Sequence, residues 1–288
     1  MSNFVAGLSA NLNPTVNILI SLLTNAPPSL LQVIAFFLAW AGCWLPFAVL
    51  CAIAIGWQPP QLTTTQKLPL LASLYIIAPL VLWQASRLVG KSFSDYGLVW
   101  NFRLLSSLGI GLVLAVLSLV VLFAIQTVLG WVTWQNKDGQ IASVLLPTLL
   151  IAFLISGIEE GVFRGFVLTQ LRQDYTPELA AAISSLIFAL LHLLWEQKET
   201  VPQLPGLWLM GMVLVLARWV DGGSLGLAWG LHTGWVWAIA SLDTLQIVTY
   251  TGNANVWVTG KNGKPLAGAV GIICMLGTGA ILWLVTKN

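Results

Sequence analysis

Long apolar runs alternate with short polar connections along the chain, and the runs carry almost no charge. A helix needs about 20 mostly apolar residues to cross a hydrocarbon core. Runs of that kind cover roughly residues 30–56, 68–89, 104–128, 145–171, 177–196, 204–220, 224–242 and 266–285. The pattern predicts an all-α fold, a polytopic membrane helix bundle of about eight transmembrane helices. Residues 1–29 are uncharged but interrupted by Asn11, Asn13, Pro14, Asn25, Pro27 and Pro28, and are expected to form an interfacial or capping segment. Residues 30–140 then hold the first three spans and residues 141–288 the last five, as one domain without repeats or low-complexity tracts. The longest polar connections cover residues 131–143 and 245–265. The second contains YTGNANVWVTGKNGKP, strand-forming residues between turn signals, which predicts a small hairpin outside the membrane.

Composition sharpens this picture. Of the 288 residues 58% are hydrophobic and only 8% charged, against about 25% charged in a soluble domain. A net charge of +2 supplies no basic patch to offset a phosphate backbone, which excludes nucleic acid as a partner. No charge precedes Lys67, so the basic start of a cleavable signal peptide is missing and the first apolar helix is expected to remain as an anchor. Cys43, Cys51 and Cys274 lie in apolar runs at irregular spacing. They form neither a disulfide framework nor a metal motif, and are expected to pack in the core. Among the 15 Trp, several (Trp57, Trp83, Trp131, Trp134, Trp195 and Trp219) fall at span ends, the headgroup level that amphipathic rings favour. Trp208, Trp229, Trp235 and Trp237 fall inside spans, where packing, a cavity or a partner would account for them. The local excess of Arg87, Lys91 and Arg103 leans toward cytoplasmic termini.

The ionisable residues inside the last spans are few: Glu159, Glu160, Arg164, and the chain's two histidines, His192 and His232. Each such group costs about 2.5–3.5 kcal/mol at a helix centre and usually has a function. Glu160 and Arg164, four apart, share a face and can form an ion pair. Glu159 is turned from Glu160 by about 100° and is expected to stay unpaired. Thr176 as N-cap, Pro177 at the first helical position and Glu178 in the first turn start the next helix. The chain therefore reverses near residues 174–176, and Glu159 and His192 both stand about 25 Å from that turn at ~1.5 Å per residue. Phe188, one turn before His192, shares its face. A GGS turn at residues 222–224 opens a helix rich in small residues, GLAWGLHTGW, with His232 about midway and glycines that permit close backbone approach.

A lone intramembrane histidine is often a packing residue, and a Glu–Arg pair can simply hold helices in register. An unpaired glutamate level with one histidine and near a second points instead to a polar site. A carboxylate away from bulk solvent can act as general base toward water, an imidazole can share that water, and a second imidazole can donate to a developing oxyanion. Equally, Glu159, His192 and His232 would suit a divalent metal such as zinc with an open coordination position. HExxH, GxGD and a serine nucleophile loop with a partner histidine are all missing.

EEGVFR at 159–164 resembles the EExxxR first motif of the CPBP family of intramembrane proteases, which includes the CAAX prenyl endopeptidases and bacteriocin-processing proteins. FALLH at 188–192 is similar to its FxxxH second motif, and GLHTGWV at 230–236 to its third. DYGLVWNFR at 95–103, before a long apolar helix, also has the look of these proteins. The resemblance covers residues 145–242 and implies a peptide-bond hydrolase whose Glu159 activates water together with His192. It further implies that His232 stabilises the oxyanion, with Glu160, Arg164 and Phe188 as structural support. The implied substrate is a membrane protein or membrane-tethered peptide within the lipid bilayer. One position departs from the pattern: Val236 stands where the family commonly has Asn or Asp. Losing one oxyanion donor typically lowers the rate by about 10²–10³. The alternative is therefore a weak or inactive CPBP-like scaffold or assembly factor within a membrane-protein complex. A third reading is a pigment or quinone binder that uses His192 or His232 as ligand. In character the chain is similar to cyanobacterial or plastid members, so a cell inner membrane or a thylakoid is the expected location.

Overall fold

The computed structural model describes residues 28–57, 63–136, 141–194 and 197–285. The expected N-terminal segment lies outside these residues except for Pro28 and Ser29, which open the first helix, and so does Trp195. Eight long helices fall where the eight apolar runs predict them. They are α1 (Pro28–Ala54), α2 (Thr64–Leu88), α3 (Phe102–Val128), α4 (Ile141–Leu171), α5 (Pro177–Leu191), α6 (Leu204–Val220), α7 (Gly226–Leu245) and α8 (Ala269–Val285). Among the described residues six are long and apolar enough to cross a membrane: α1 to α4, α5 with the turn that follows it to Leu194, and α6 with the short turns that precede it. α7 is not among the six, and α8 has only 17 residues.

The helix starts follow local chemistry. Thr63 caps α2 reciprocally with Gln66, and the Asn101 side chain accepts from the Leu104 amide to open α3. Thr176 accepts from the Leu179 amide ahead of Pro177, so α4 and α5 reverse at the expected turn. α1 is capped from a distance: Asp174, in that same turn, accepts from the Ser29 amide at 2.9 Å. The outer faces of α1 to α4 and α8 expose Leu38, Ile53, Ile76, Val128 and Ile281, which suits lipid rather than water. Cys43 is exposed on α1 instead of packed in the core, because no described residue covers that face of its helix.

Packing centres on α7, which lies against α3 and α4, while α6 lies between α5 and α8. The approach of α3 and α7 is backbone to backbone. A Cβ at Gly230 would sit 2.0 Å from the Leu108 carbonyl oxygen, and one at Gly111 would sit 2.4 Å from that of Leu227. Only glycine permits this spacing.

The intramembrane tryptophans stitch helices together through their indole N–H groups. Trp229 donates to the Phe153 carbonyl, Trp235 to the Ser118 hydroxyl, Trp237 to the Leu145 carbonyl and Trp208 to the Ala182 carbonyl. Each is a packing role with its polar atom satisfied.

The expected hairpin within residues 245–265 does not form. β2 (Val248–Tyr250) pairs antiparallel with β1 (Val132–Trp134), so the two longest polar connections pair with each other. Strand-forming residues need a partner edge, and the nearest one belongs to the other connection.

Candidate active site

The site is built on the third and fourth turns from the end of α4. Residues Glu160–Val167 leave α geometry for a π-helical stretch, and all eight are buried. Such widened turns are frequent at functional sites. Arg164 Nη1 donates to Glu160 Oε1 at 3.0 Å, the ion pair that the four-residue spacing predicts. The guanidinium carbon lies 4.4 Å from the Phe188 ring centroid, so the cation is also held by an aromatic face of α5. The Arg164 carbonyl accepts from Arg218 of α6, whose Nε donates to Gly223.

Glu160 does more than neutralise the arginine. Its Oε1 lies 2.8 Å from Nδ1 of His232 on α7. An ionised carboxylate can only accept, so Nδ1 carries the proton. That leaves Nε2 of His232 turned toward Glu159, 3.5 Å from Oε2. Glu159 also accepts from the Tyr75 hydroxyl of α2. The expectation that Glu159 stays unpaired is thus corrected: it faces His232 and is held by a tyrosine from a helix 84 residues away in sequence. The pairing across helices escaped the helical-wheel argument, which sees only neighbours on one helix.

His192 is placed differently. Its Nδ1 lies 2.8 Å from the Phe188 carbonyl, one turn back on its own helix. A carbonyl only accepts, so this nitrogen is the donor, and among the described residues Nε2 has no hydrogen-bond partner. Among the described residues no hydrogen bond or ion pair joins His192 to Glu159 or Glu160. The two histidines meet instead around Phe188, whose ring centroid lies 4.7 Å from that of His192 and 5.8 Å from that of His232. Phe188 therefore touches three of the five ionisable residues.

Both histidines line an apolar cavity of about 290 Å³ between α3, α6, α7 and α8. Val236 lines the same cavity one turn after His232, so a valine methyl stands on this wall where the family motif commonly has an amide or acid. Polar capacity remains in the cluster. Among the described residues Glu160 Oε2 and the Arg164 Nε and Nη2 groups are buried without a hydrogen-bond partner. Among the described residues no group of three His, Cys, Asp or Glu side chains could hold a metal ion. His192 makes no hydrogen bond or ion pair with Glu159 among the described residues, so Glu159, His192 and His232 do not converge on one point as the ligands of a zinc centre would.

Two residues that sequence reasoning did not single out complete the cluster, Tyr75 and Arg218. Tyr75 had a signal: it is a hydroxyl in mid-span whose neighbours four residues away, Leu71 and Pro79, offer no side-chain partner. Arg218 lies at the end of a span, where a basic residue reads as an interface anchor.

The five ionisable residues of the cluster and cavity wall, Glu159, Glu160, Arg164, His192 and His232, all fall within the stretch that matches a known family. Residues 141–238 match the family model described as Rce1-like, type II CAAX prenyl endopeptidase. No curated protein and no solved structure matches the chain. Over residues 141–238 this membrane helix bundle is similar to the Rce1-like type II CAAX prenyl endopeptidases, which bears out the resemblance of its three motifs to the CPBP intramembrane proteases.

Proposed function

We propose that the protein is an intramembrane endopeptidase that hydrolyses a peptide bond of a membrane-associated substrate with a water activated by Glu159 and the histidines. One observation carries the reading: the glutamate pair and His232 form a single buried cluster, and His232 also lines an apolar cavity shared with His192.

The roles follow from which atoms are committed and which are free. Arg164 fixes Glu160, and Glu160 fixes the tautomer and orientation of His232. Glu159 keeps basic capacity and takes the proton as the water oxygen attacks the carbonyl carbon. Tyr75 holds the Glu159 carboxylate in place from α2. His192, with Nε2 free, shares the attacking water and later helps pass a proton to the leaving amine as the C–N bond breaks. His232 steadies the tetrahedral intermediate once its Nε2 has received the water proton by way of Glu159, because its Nδ1 proton is committed to Glu160 and Nε2 otherwise has none to donate. With Val236 in the third motif, the side chain one turn after His232 contributes no hydrogen bond, and the rate is expected to be low by about 10²–10³ relative to a site with that donor.

The test compares membrane-protein fragments in cells that carry wild type, Glu159→Gln or no copy of the gene. Cleavage products confined to wild type are expected, and they identify the substrate. Fragments and phenotype identical in wild type and Glu159→Gln, with a distinct deletion, would make the cluster structural and the protein a scaffold.

A further inference from the structure

The small sheet offers a second binding feature beside the histidine cavity. β1 and β2 pair in the register Val132 with Tyr250, Thr133 with Thr249 and Trp134 with Val248. Flanking bonds run from the Gln135 amide to the Ile247 carbonyl at 2.8 Å and from the Thr251 amide to the Trp131 carbonyl at 3.0 Å. Residues 247, 249 and 251 therefore turn their main-chain groups toward β1. In an antiparallel ladder the residues between them turn theirs the other way. Val248 and Tyr250 thus direct amides and carbonyls to the outer edge of β2. Among the described residues no backbone hydrogen bond reaches that edge.

Val248, Thr249 and Tyr250 line a cavity of about 660 Å³. This outer cavity shares Ile239, Asp243 and Lys264 with the inner one that reaches His192 and His232. At the junction Lys264 Nζ donates to Asp243 Oδ2 at 2.6 Å. The Tyr250 hydroxyl is buried without a partner. From His232 to Asp243 α7 rises about 16 Å at ~1.5 Å per residue. An extended chain covers that in about five residues at ~3.3 Å each.

We infer that the outer edge of β2 binds an extended polypeptide segment, which adds to the sheet as a third strand and runs past Asp243 and Lys264 toward the histidines. The occupant is a peptide because the free groups are alternating main-chain donors and acceptors, the complement of another strand. The inference rests on the protease reading only in taking that peptide to be the substrate. The scissile bond then lies about five residues from the paired stretch.

The test uses the full chain in detergent micelles and a fluorescein-labelled peptide of alternating Thr and Val, flanked by lysines for solubility. Fluorescence anisotropy is expected to show saturable binding. N-methylation of alternate residues should weaken binding about tenfold or more in one of the two phases and little in the other, because only one set of amides meets the edge. Tyr250→Pro removes an outward amide and should weaken the unmethylated peptide to a similar degree with helix content unchanged by circular dichroism. If that variant loses helix content, the methylated pair on wild type decides. No saturable binding, or equal binding of both methylated peptides, would overturn the strand site. Fragments dependent on Glu159 without edge binding would sink this inference alone; phase-dependent binding without any such fragments would sink the protease reading and leave the strand site standing.

Discussion

Two acid–base clusters fasten α7 to its neighbours, and they differ in how completely their polar atoms are used. At the start of α7, Asp221 is saturated. Its Oδ1 accepts from Ser107 at 2.9 Å and Arg103 at 3.4 Å, its Oδ2 from the Leu227 amide at 3.2 Å, and its carbonyl from Arg103 at 2.9 Å. The Arg103 side chain is 63% exposed, so water satisfies the rest of the guanidinium. Deeper along α7, the Glu160–Arg164–His232 cluster is wholly buried, yet among the described residues Glu160 Oε2, Arg164 Nε and Arg164 Nη2 have no hydrogen-bond partner. Each buried unmatched polar group costs about 1–3 kcal/mol. Fastening helices gives no reason to retain that cost, since the Asp221 knot fastens α3 to α7 without it.

The sharpest way to break this contrast is Glu159→Gln. The amide is nearly isosteric and its oxygen still accepts from Tyr75, so the fold should survive while turnover falls by about 10²–10⁴, the usual worth of a general base. Fragment accumulation reads the loss, and an unchanged unfolding temperature excludes misfolding as its cause. Arginine deletions come next. Arg164→Ala leaves Glu160 buried without its cation and should cost about 3–5 kcal/mol, whereas Arg103→Ala at the exposed knot should cost at most about 1 kcal/mol. Denaturant titration in micelles compares the two, and equal losses would erase the distinction between the clusters.

A smaller effect probes what brings His232 to the glutamates. Gly230→Ala forces a Cβ against the Leu108 carbonyl and should cost about 1–3 kcal/mol by overpacking, with a loss of turnover as α7 shifts. Gly109→Ala on the facing helix meets nothing within 4 Å and should leave both stability and turnover unchanged. The smallest effect belongs to the helix ends. The Ser29 amide and hydroxyl beside Asp174 hold its carboxyl below the usual carboxylate range. With the folded value below the unfolded one of about 3.9, the cap stabilises above that pH and is lost as pH falls through the folded value. Asp174→Asn should therefore flatten the acid limb of the unfolding temperature and leave the neutral region little altered.

Much of the architecture was legible in the chain because hydropathy and capping are local. The eight apolar runs became eight long helices, and Thr176–Pro177–Glu178 opened α5 where such residues should. The Glu160–Arg164 pair followed from a four-residue spacing. The sheet was misplaced because strand-forming residues at 248–250 do not name their partner, and the partner lies more than 110 residues earlier. Cys43 was misplaced because an apolar run does not reveal which of its faces meets lipid. The tryptophans inside spans could not be assigned to packing until their indole partners on other helices were known.

The candidate site divides along the same line. The sequence by itself determined that five ionisable residues lie away from the ends of the last spans, that two of them pair on one helix, and that the histidines follow on two later helices. Those are consequences of spacing along single helices, where geometry is fixed at 3.6 residues per turn. Only the tertiary structure decided that Glu160 also orients His232, that Tyr75 holds Glu159, that His192 bonds to its own helix, and that Phe188 stands between the two rings. These contacts depend on the rotation and close approach of separate helices. In the apolar interior a polar atom takes whichever partner that packing brings within reach.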